Sequence, residues 1–496
     1  MNATRRLRAI ANAIGFALGT LLLLLALPML AARIAATHLL DDAQQELATL
    51  QSGQPLWKWS LRKPRDLVAG RAFGHAQVIR ADDSLQITSG DGAPFELGLP
   101  IAWAVDLAHW PILQLQLQSS AAGSLGLIWQ GGADTPPCLA TSANTLSTTT
   151  RELRLNLRQL DWRTPQGTPC LTLGNAWMLR LRVQLPAGAT LQWRTAALLA
   201  DQILPPPTDT ALPPDVAASN PASSATPVFR LPSNMSAESM LNLRDQLRLK
   251  RPAALVVPAN ATLQAPAREI RPEWIGWAMC LSYLLALLGL SLRRSQKPGR
   301  LWLDIVAYMA GPLWLIAGLQ WGMQPSRPGV AAFVGAVLYA ASIEWRQRPR
   351  SWHWVGKVWQ DWTWPLALLP ITALLLACCS QSFKPPVPSH ALAYLAWAAL
   401  QQWLMLAVVM CRLERLVKQP AWIILMTAAL FALLHTPNGR LMQLCLLAEL
   451  WWAWCFLRSR SLLPIALAHA ACALLVEAGL VGSVLRSLEV SARFIS

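Results

Sequence analysis

The chain combines two kinds of hydrophobic pattern. Long apolar runs occupy both ends, whereas the stretch between them alternates apolar and polar residues one by one. A run of about 20 apolar residues is long enough to cross a bilayer as a helix, and strict alternation is typical of a strand with one buried face. The pattern therefore predicts membrane helices at both ends of the chain and a β domain between them.

The first apolar run, residues 10–36, follows three arginines within the first eight positions. The run exceeds the length that a bilayer requires, so we interpret residues 1–36 as a transmembrane anchor. A cleaved signal peptide with the core Leu21–Met29 is the alternative. Both interpretations export the residues that follow, because basic flanks stay in the cytoplasm.

Residues 37–203 carry the alternating pattern, most clearly in Leu113–Gln118, Leu153–Arg158 and Leu179–Leu185. Clusters of Gly, Pro, Ser and Asp separate these segments, which favours an exported antiparallel β-sandwich. The strand pattern resembles that of a jelly-roll or galactose-binding-like domain. A glycan or a protein is its candidate ligand, although most of its tryptophans are expected in the core.

Cys138 and Cys170 are the only cysteines of this exported region, where an oxidising compartment permits a disulfide. We expect them to pair, with two free thiols as the alternative. Residues 204–272 follow as a connecting region. Its first part is rich in Pro, Ala, Ser and Thr and is predicted to be an extended linker, and residues 235–249 are predicted to form a short helix.

Residues 273–496 are predicted to form a multi-pass membrane domain of eight helices. The apolar runs lie near residues 274–292, 301–322, 328–345, 363–382, 390–412, 421–436, 441–457 and 461–480. Arginine and lysine concentrate in alternate loops, which the positive-inside rule places in the cytoplasm. The sequence thus predicts an integral protein, of a bacterial inner membrane, with residues 37–272 on the periplasmic or extracytoplasmic side.

Composition agrees with this class, since 54% of the residues are hydrophobic and only 14% are charged. A formal net charge of +16 would suit a nucleic-acid partner, but the basic residues form short clusters between apolar runs. We assign those clusters to cytoplasmic loops and expect no nucleic-acid role. No phosphate-binding loop or dinucleotide fingerprint occurs in the sequence, so we expect no nucleotide cofactor.

Two adjacent carboxamides, Gln401 and Gln402, interrupt the run at 390–412. An amide in hydrocarbon needs a hydrogen-bond partner, so we expect this pair to face protein. At about 1.5 Å per residue, Gln402, His435 and His469 lie roughly 15, 21 and 12 Å from the cytoplasmic ends of their helices. The three side chains are therefore expected to meet in one cavity within the membrane.

The last four runs resemble the CPBP family of intramembrane peptidases, which includes CAAX prenyl protease type 2 and the Abi proteins. The family pattern is EExxxR on one helix, FxxxH on the next and HxxxN, or a small residue in place of Asn, on a later one. Phe431 and His435 match FxxxH, and His469 matches the second histidine. The match is close over about the last 110 residues, and the preceding four helices agree only in number and hydropathy.

The resemblance implies that a glutamate and a histidine activate water while the other histidine and the asparagine stabilise the oxyanion, without a bound metal. Here the two acids fall on Gln401 and Gln402, the arginine on Leu406 and the asparagine on Ala473. Glutamine cannot act as a general base. Loss of such a group typically slows a reaction by about 100-fold to 10,000-fold.

Glu449 is predicted to lie in the middle of its helix, at the depth of Gln402 and His469. One interpretation is a relocated base that faces His435 or His469. The other is a protonated acid bonded to Gln401 or Gln402. A zinc site could also be built from Glu449 and the two histidines, but the resemblance implies none, so we expect neither metal nor cofactor.

Two functions follow from these residues. The first is a catalytically weak or inactive relative that binds a membrane-embedded or lipid-anchored protein substrate or partner. The second is an active endopeptidase that uses Glu449 with His435 and His469. We favour the first, because four positions of the family pattern are changed together.

Overall fold

The computed structural model describes residues 3–52, 57–101, 105–108, 110–132, 135–149, 151–170, 173–200, 208–210, 212, 227–250, 254–264, 273–292, 297–316, 326–346, 352–379, 383, 385, 387–482 and 484–495. The chain forms two compact units. The membrane unit consists of Met1–His38, Asn234–Asn242 and Glu269–Ser496, and the β unit consists of Leu39–Ser233 and Leu243–Arg268.

The β unit is built mainly from two antiparallel sheets. Its strands are β1 (Trp57–Ser60), β2 (Ala76–Ala81), β3 (Ser84–Ser89), β4 (Phe95–Leu99), β5 (Val105–Asp106), β6 (Ile112–Ser119), β7 (Gly123–Gln130), β8 (Cys138–Leu146), β9 (Glu152–Asn156), β10 (Asn175–Ala176), β11 (Met178–Gln184), β12 (Thr190–Leu199), β13 (Thr208–Thr210), β14 (Pro227–Arg230) and β15 (Leu255–Val257). One sheet has the order β2-β3-β12-β6-β9, with β1 also paired to β12, and the other has the order β4-β11-β7-β8. β5 pairs with β10, and β13, β14 and β15 form a small parallel sheet.

One apolar core lies between the two large sheets. Leu113, Leu115 and Leu117 of β6 are buried, and the opposite sheet contributes Leu179 and Leu181 of β11 to the same cluster. Full burial of a leucine side chain typically stabilises the fold by about 1.5–3 kcal/mol. Each strand therefore buries the face that carries its leucines. The predicted antiparallel β-sandwich is confirmed.

The expectations for tryptophan and cysteine in the β unit are also met. Among the described residues of the β unit, five tryptophans are buried, namely Trp59, Trp110, Trp129, Trp162 and Trp193, and Trp103 lies outside the described residues. Trp177 is 48% exposed. Cys138 and Cys170 form a disulfide, as expected for an oxidising compartment.

The helices begin with α1 (Ala3–Ser52) and α2 (Ala237–Lys250). The remaining helices are α3 (Glu273–Leu292), α4 (Pro298–Leu315), α5 (Arg327–Arg346), α6 (Gln360–Leu366), α7 (Leu368–Cys379), α8 (Pro388–Gln402), α9 (Cys411–Leu416), α10 (Pro420–Leu433), α11 (Gly439–Ser459), α12 (Leu463–Gly479) and α13 (Ala492–Ile495). A π-helix, Trp403–Met410, connects α8 to α9. Within the described residues, each of the eight apolar runs predicted after the anchor thus contains a helix or a succession of helices.

Within the described residues, six helical segments are long and apolar enough to cross a membrane. They are Ile10–Ala48, Trp274–Leu292, Arg327–Arg346, Gln360–Cys379, Pro388–Leu416 and Gly439–Ser459. Two shorter apolar helices, Pro420–Leu433 and Leu463–Gly479, accompany them. The chain is an integral membrane protein.

The N-terminal helix packs against the rest of the membrane unit. A Cβ atom placed on Gly19 would lie 2.8 Å from the side chain of Leu425, so glycine permits the close approach of α1 to α10. The Gln443 amide of α11 donates a hydrogen bond to the Leu24 carbonyl at 2.7 Å. The N-terminal helix is therefore an integral part of the helix bundle and not only a tether.

A buried ion-pair cluster, formed by Arg300, Asp304, Tyr339, Glu344 and Arg412, fastens α4, α5 and α9. Arg412 Nη1 donates to Glu344 Oε1 at 2.8 Å. Arg300 Nε donates to Asp304 Oδ1 at 2.9 Å, and the Tyr339 hydroxyl donates to the same oxygen at 2.8 Å. Each charge in this cluster has an opposite charge as its neighbour, as a structural role requires.

Candidate functional site

Three helices bring the predicted polar side chains together inside the membrane unit. Gln402 is the last residue of α8, Glu449 lies in the middle of α11, and His469 lies in α12. Gln402 and Glu449 are fully buried, and His469 is 5% exposed. We call this group the amide–acid site.

The Gln402 amide connects the other two side chains of the amide–acid site. Its Nε2 donates a hydrogen bond to Glu449 Oε2 at 2.9 Å and lies 3.2 Å from His469 Nδ1. Because an amide nitrogen only donates, His469 Nδ1 accepts in this arrangement and the ring proton belongs on Nε2. The sequence left open whether Glu449 contacts a glutamine or a histidine. In the structure Glu449 contacts Gln402, and Gln402 also contacts His469.

The same site contains two oxygen atoms without a hydrogen-bond partner. Gln402 Oε1 and Glu449 Oε1 are buried, and neither forms a hydrogen bond within the described part of the chain. Glu449 also forms no salt bridge there. Buried polar atoms are usually paired, so these two acceptors are available to a donor, but Arg412 Nε and Nη2 of the same unit are unpaired as well and the property is not specific to this site.

Phe431 and His435 lie beside the amide–acid site. Phe431 belongs to α10, and His435 follows the end of that helix. The Phe431 ring centroid lies 4.9 Å from that of His435 and 5.5 Å from that of His469, so one phenyl ring packs against both imidazoles. His435 Nδ1 lies 2.9 Å from the Phe431 carbonyl oxygen. A carbonyl only accepts, so Nδ1 carries the proton and Nε2 of the neutral ring remains an acceptor.

The other predicted positions do not contribute polar groups to the amide–acid site. Leu406 is fully buried among the apolar residues of the π-helix. Ala473 is half-buried one turn after His469 on α12. Gln401 is half-buried and makes no side-chain hydrogen bond among the described residues. The structure therefore groups Gln402, Glu449 and His469 and separates Gln401 from them.

Two aromatic residues that the sequence analysis did not single out also contact His469. The Trp452 ring centroid lies 5.1 Å from that of His469 with the planes inclined by 30°, and the Tyr394 centroid lies 6.4 Å away. Trp452 Nε1 also donates to the Pro365 carbonyl at 3.4 Å, which ties α11 to α6. Helical spacing could have indicated both residues. Trp452 is three residues after Glu449 and Tyr394 is eight before Gln402, so each shares a helix face with a residue of the site.

The loop after His435 is held in place by the next helix. Asn438 caps α11, because its Oδ1 accepts from the Leu441 backbone at 3.2 Å. Its Nδ2 donates to the Ser487 carbonyl at 2.8 Å. Thr436–Pro437, which precedes it, is a cis peptide. The hydrogen bonds of Asn438 therefore hold the loop after His435 to the start of α11 and to Ser487.

The described residues contain no group of three or more His, Cys, Asp or Glu side chains arranged to hold a metal ion. The arrangement offers two acceptor oxygens, two imidazoles and an amide. Such groups can bind a peptide backbone, and a carboxylate beside them can accept a proton.

Comparison with known families identifies the segment that contains the site. Residues 384–475 match the family model described as Rce1-like, type II CAAX prenyl endopeptidase. The match confirms the resemblance to CPBP peptidases, and it includes the positions of Gln402, His435, Glu449 and His469. No curated protein matches the chain.

Solved structures similar to this chain include carbohydrate-binding modules. A low-affinity xylan-binding module from Roseburia intestinalis is 16% identical, with 29% of this chain and 96% of that chain covered and a TM-score of 0.20. A family 11 carbohydrate-binding module of a cellulosomal cellulase from Clostridium thermocellum is 11% identical, with 26% of this chain and 83% of that chain covered and a TM-score of 0.21.

Proposed function

We propose that this CPBP-type peptidase homologue binds a membrane-embedded or lipid-anchored protein at the amide–acid site and hydrolyses it weakly or not at all. The observation that supports the proposal is the hydrogen bonding of Gln402, whose amide stands at a family acid position and donates toward both Glu449 and His469. A carboxamide offers no basic oxygen to water. The proton acceptor that the family pattern supplies at this position is therefore missing.

The remaining polar groups of the amide–acid site are, by contrast, suited to binding a polypeptide. A polypeptide backbone presents N–H donors, and the unpaired oxygens of Gln402 and Glu449 are acceptors in a buried position. His435 Nε2 supplies a further acceptor. A bound segment that satisfies these atoms would remove their desolvation penalty, which is typically about 1–3 kcal/mol for each.

A second candidate function is favoured by the position of Glu449. Its carboxylate is one hydrogen bond from Gln402 and retains a free oxygen, Oε1. In this alternative, Oε1 takes a proton from water, the hydroxide adds to the peptide carbonyl carbon, and the proton passes to the departing amine as the C–N bond breaks. His469, whose Nε2 carries the ring proton, would then stabilise the oxyanion, and His435 Nε2 would accept a hydrogen bond from the attacking water.

The proposed organisation follows the sequence. Residues 1–36 serve as the anchor, 37–203 as an exported sandwich, 204–272 as a linker with a short helix, and 273–496 as the CPBP-like domain. In this proposal the chain lies in a bacterial inner membrane, with its basic loops on the cytoplasmic side. The sandwich acts as a sensor or docking module for a glycan or a protein.

The experiment uses the full chain in liposomes with model transmembrane and prenylated peptides, and it measures binding and cleavage separately. Binding with no turnover supports the first function. Cleavage that Glu449→Gln and His435→Ala both abolish supports the second. The control Glu489→Gln removes an exposed carboxylate that pairs with Arg493, and it should change neither quantity.

A restoration variant tests whether the family scaffold has been preserved. Gln401→Glu and Gln402→Glu together with Leu406→Arg rebuild the family pattern. A gain of at least about 100-fold in turnover is expected if the lost groups are the reason for low activity. Peptides that neither bind nor are cleaved by any variant would overturn both functions.

A further inference from the structure

A cleft of about 570 Å³ lies on the β unit, between β8, the loop at residues 161–167 and Arg182 of β11. We call it the Arg182 cleft. Pockets for small ligands typically have volumes of about 300–1,000 Å³. A stable protein partner, by contrast, usually covers about 800 Å² of the surface that it binds. The size of the Arg182 cleft therefore suits a small ligand better than a protein surface.

The loop at residues 161–167 is fixed to β8 on one side of the cleft. The Arg163 amide donates to the Leu139 carbonyl at 2.9 Å, and the Leu139 amide donates to the Arg163 carbonyl at 2.8 Å. The disulfide between Cys138 and Cys170 also joins β8 to the chain just after the loop. This side of the Arg182 cleft is thus in place before a ligand binds, which reduces the entropic cost of binding.

A bulge in β8 shapes another part of the cleft. Leu125 and Leu127 of β7 pair with residues of β8 on either side of the bulge, so residues 141–143 lie opposite Gly126 alone. A Cβ atom on Gly126 would lie 2.7 Å from the Ala140 carbonyl oxygen, so glycine is required for this close approach. The first bulged residue lines the Arg182 cleft, and bulges are frequent beside functional sites.

Arg182 supplies a positive charge without a counter-charge. Its side chain is half-buried, and it makes no hydrogen bond or ion pair within the described residues. The carboxylate of Glu96, its cross-strand partner on β4, contacts Arg180 at 3.0 Å. On the other side of the cleft, Asp161 pairs with Arg163 at 2.8 Å. A guanidinium presents planar donors that match a carboxylate or a phosphate, so the cleft is suited to an acidic ligand.

The remaining lining groups match a sugar ring. Leu139 and Pro165 present apolar surface, and the hydroxyls of Thr141 and Thr164 donate and accept hydrogen bonds. The Asp161 carboxylate adds an acceptor. A pyranose ring has apolar C–H faces and a rim of hydroxyl groups, so one sugar satisfies both kinds of contact.

We infer that the Arg182 cleft binds an acidic saccharide, with its carboxylate or phosphate group on the guanidinium and its hydroxyls on Thr141 and Asp161. The inference rests on the proposed role of the sandwich as a docking module, and it names the site and the ligand class. Recognition is bidentate at the acid group, so an uncharged sugar of the same shape binds more weakly.

The test is calorimetric binding to the full chain in detergent micelles. The probes are tetramers of galacturonate, glucuronate and mannuronate, each compared with its methyl ester, and maltotetraose phosphate compared with maltotetraose. At least one acidic probe should bind, and its uncharged counterpart should bind at least about ten-fold more weakly. Failure of every acidic probe to bind, or equal binding of each acid and its uncharged counterpart, would overturn the inference.

Substitutions test whether the acid group lies on Arg182. Arg182→Gln should weaken binding of the acidic probe by about ten-fold and leave its uncharged counterpart unchanged, because charge-assisted hydrogen bonds are lost. Arg182→Lys keeps the charge without the planar fork, so its affinity should lie between the two. The matched control, Arg154→Gln, removes an exposed arginine of β9 in the other large sheet and should change neither affinity. An equal loss in the control would overturn the site.

Competing ligand classes are tested on the same preparation. Inorganic phosphate or tetraglutamate that binds as tightly as the best acidic saccharide would overturn the saccharide class in favour of a bare anion or an acidic polypeptide. Saccharide binding without binding of the model transmembrane and prenylated peptides would refute the function proposed for the amide–acid site and leave the Arg182 cleft intact. Peptide binding without saccharide binding would do the reverse.

Discussion

The membrane unit contains two buried polar groups that differ in how their charges are balanced. In the ion-pair cluster, Arg412 contacts Glu344 and Arg300 contacts Asp304, each within 2.9 Å. In the amide–acid site, Glu449 has an amide for a partner and retains a free oxygen. Both groups are surrounded by apolar helices, so they differ in charge balance although their surroundings are similar.

The ion-pair cluster has the features of a structural joint. The Arg412 guanidinium lies 5.4 Å from the centre of the Tyr308 ring, which gives a second favourable contact to a cation that is fully buried. Glu344 also accepts from Trp352 Nε1 at 3.3 Å. Opposite charges in contact offset part of their desolvation cost, whereas the amide–acid site retains a carboxyl group without a cation.

The largest effect is expected from breaking the ion-pair cluster. Glu344→Ala leaves Arg412 buried without its carboxylate, and such a change typically costs about 3–5 kcal/mol. The measurement is the free energy of unfolding of the full chain in mixed micelles.

A paired replacement serves as the control for this prediction. Arg412→Met combined with Glu344→Leu removes both charges, and it should recover most of the lost stability because apolar pairs often replace buried ion pairs without cost. If the double variant is as unstable as Glu344→Ala, the pair has a role other than charge balance.

A smaller effect is expected at the amide–acid site from Gln402→Leu. The change leaves Glu449 and His469 without the donor that they share, which typically costs about 1–3 kcal/mol. Gln401→Leu is the matched control, since this neighbour makes no side-chain hydrogen bond among the described residues, and it should be closer to neutral. Equal losses in both variants would contradict the hydrogen bonding described for Gln402.

Glu449→Gln should change the free energy of unfolding by less than about 1 kcal/mol, because the amide oxygen still accepts from Gln402 and no ion pair is lost. Any cleavage should nevertheless fall by at least about 100-fold if Glu449 is the base. Stability and turnover are measured on the same preparation. A loss of stability as large as that of Glu344→Ala would remove the distinction between the two polar groups.

The smallest effect is expected at the surface of the β unit. Asp161 and Arg163 form an ion pair at 2.8 Å, with side chains that are 71% and 56% exposed. Asp161→Asn should shift the unfolding free energy by no more than about 0.5 kcal/mol, since water solvates both partners. A shift above about 2 kcal/mol would show that exposure does not separate this pair from the buried cluster.

Much of the fold followed from hydrophobic periodicity. Leu113, Leu115 and Leu117 alternate with polar residues, and this pattern alone assigned a strand and its buried face. The eight apolar runs after the anchor likewise predicted helices, because a bilayer requires backbone hydrogen bonds within each segment. Local chemistry determined these elements.

The candidate site was only partly predictable. Family spacing indicated His435 and His469, and depth arithmetic placed Glu449 near them. Spacing could not separate Gln401 from Gln402, since adjacent residues lie about 100° apart on a helix and either could have faced the histidine. The π-helix that begins right after Gln402 changes the helical rotation there, and it leaves Leu406 in an apolar core.

The amino-acid order was sufficient for the element types, the membrane class and the absence of the family's acid pair, because each depends on residue identity and local period. Which amide meets Glu449, the pairing of Arg412 with Glu344 and the alignment of α8 with α12 depend on contacts between residues far apart in the chain. Helix packing sets those contacts through the rotation and tilt of each helix, and no local pattern specifies either quantity.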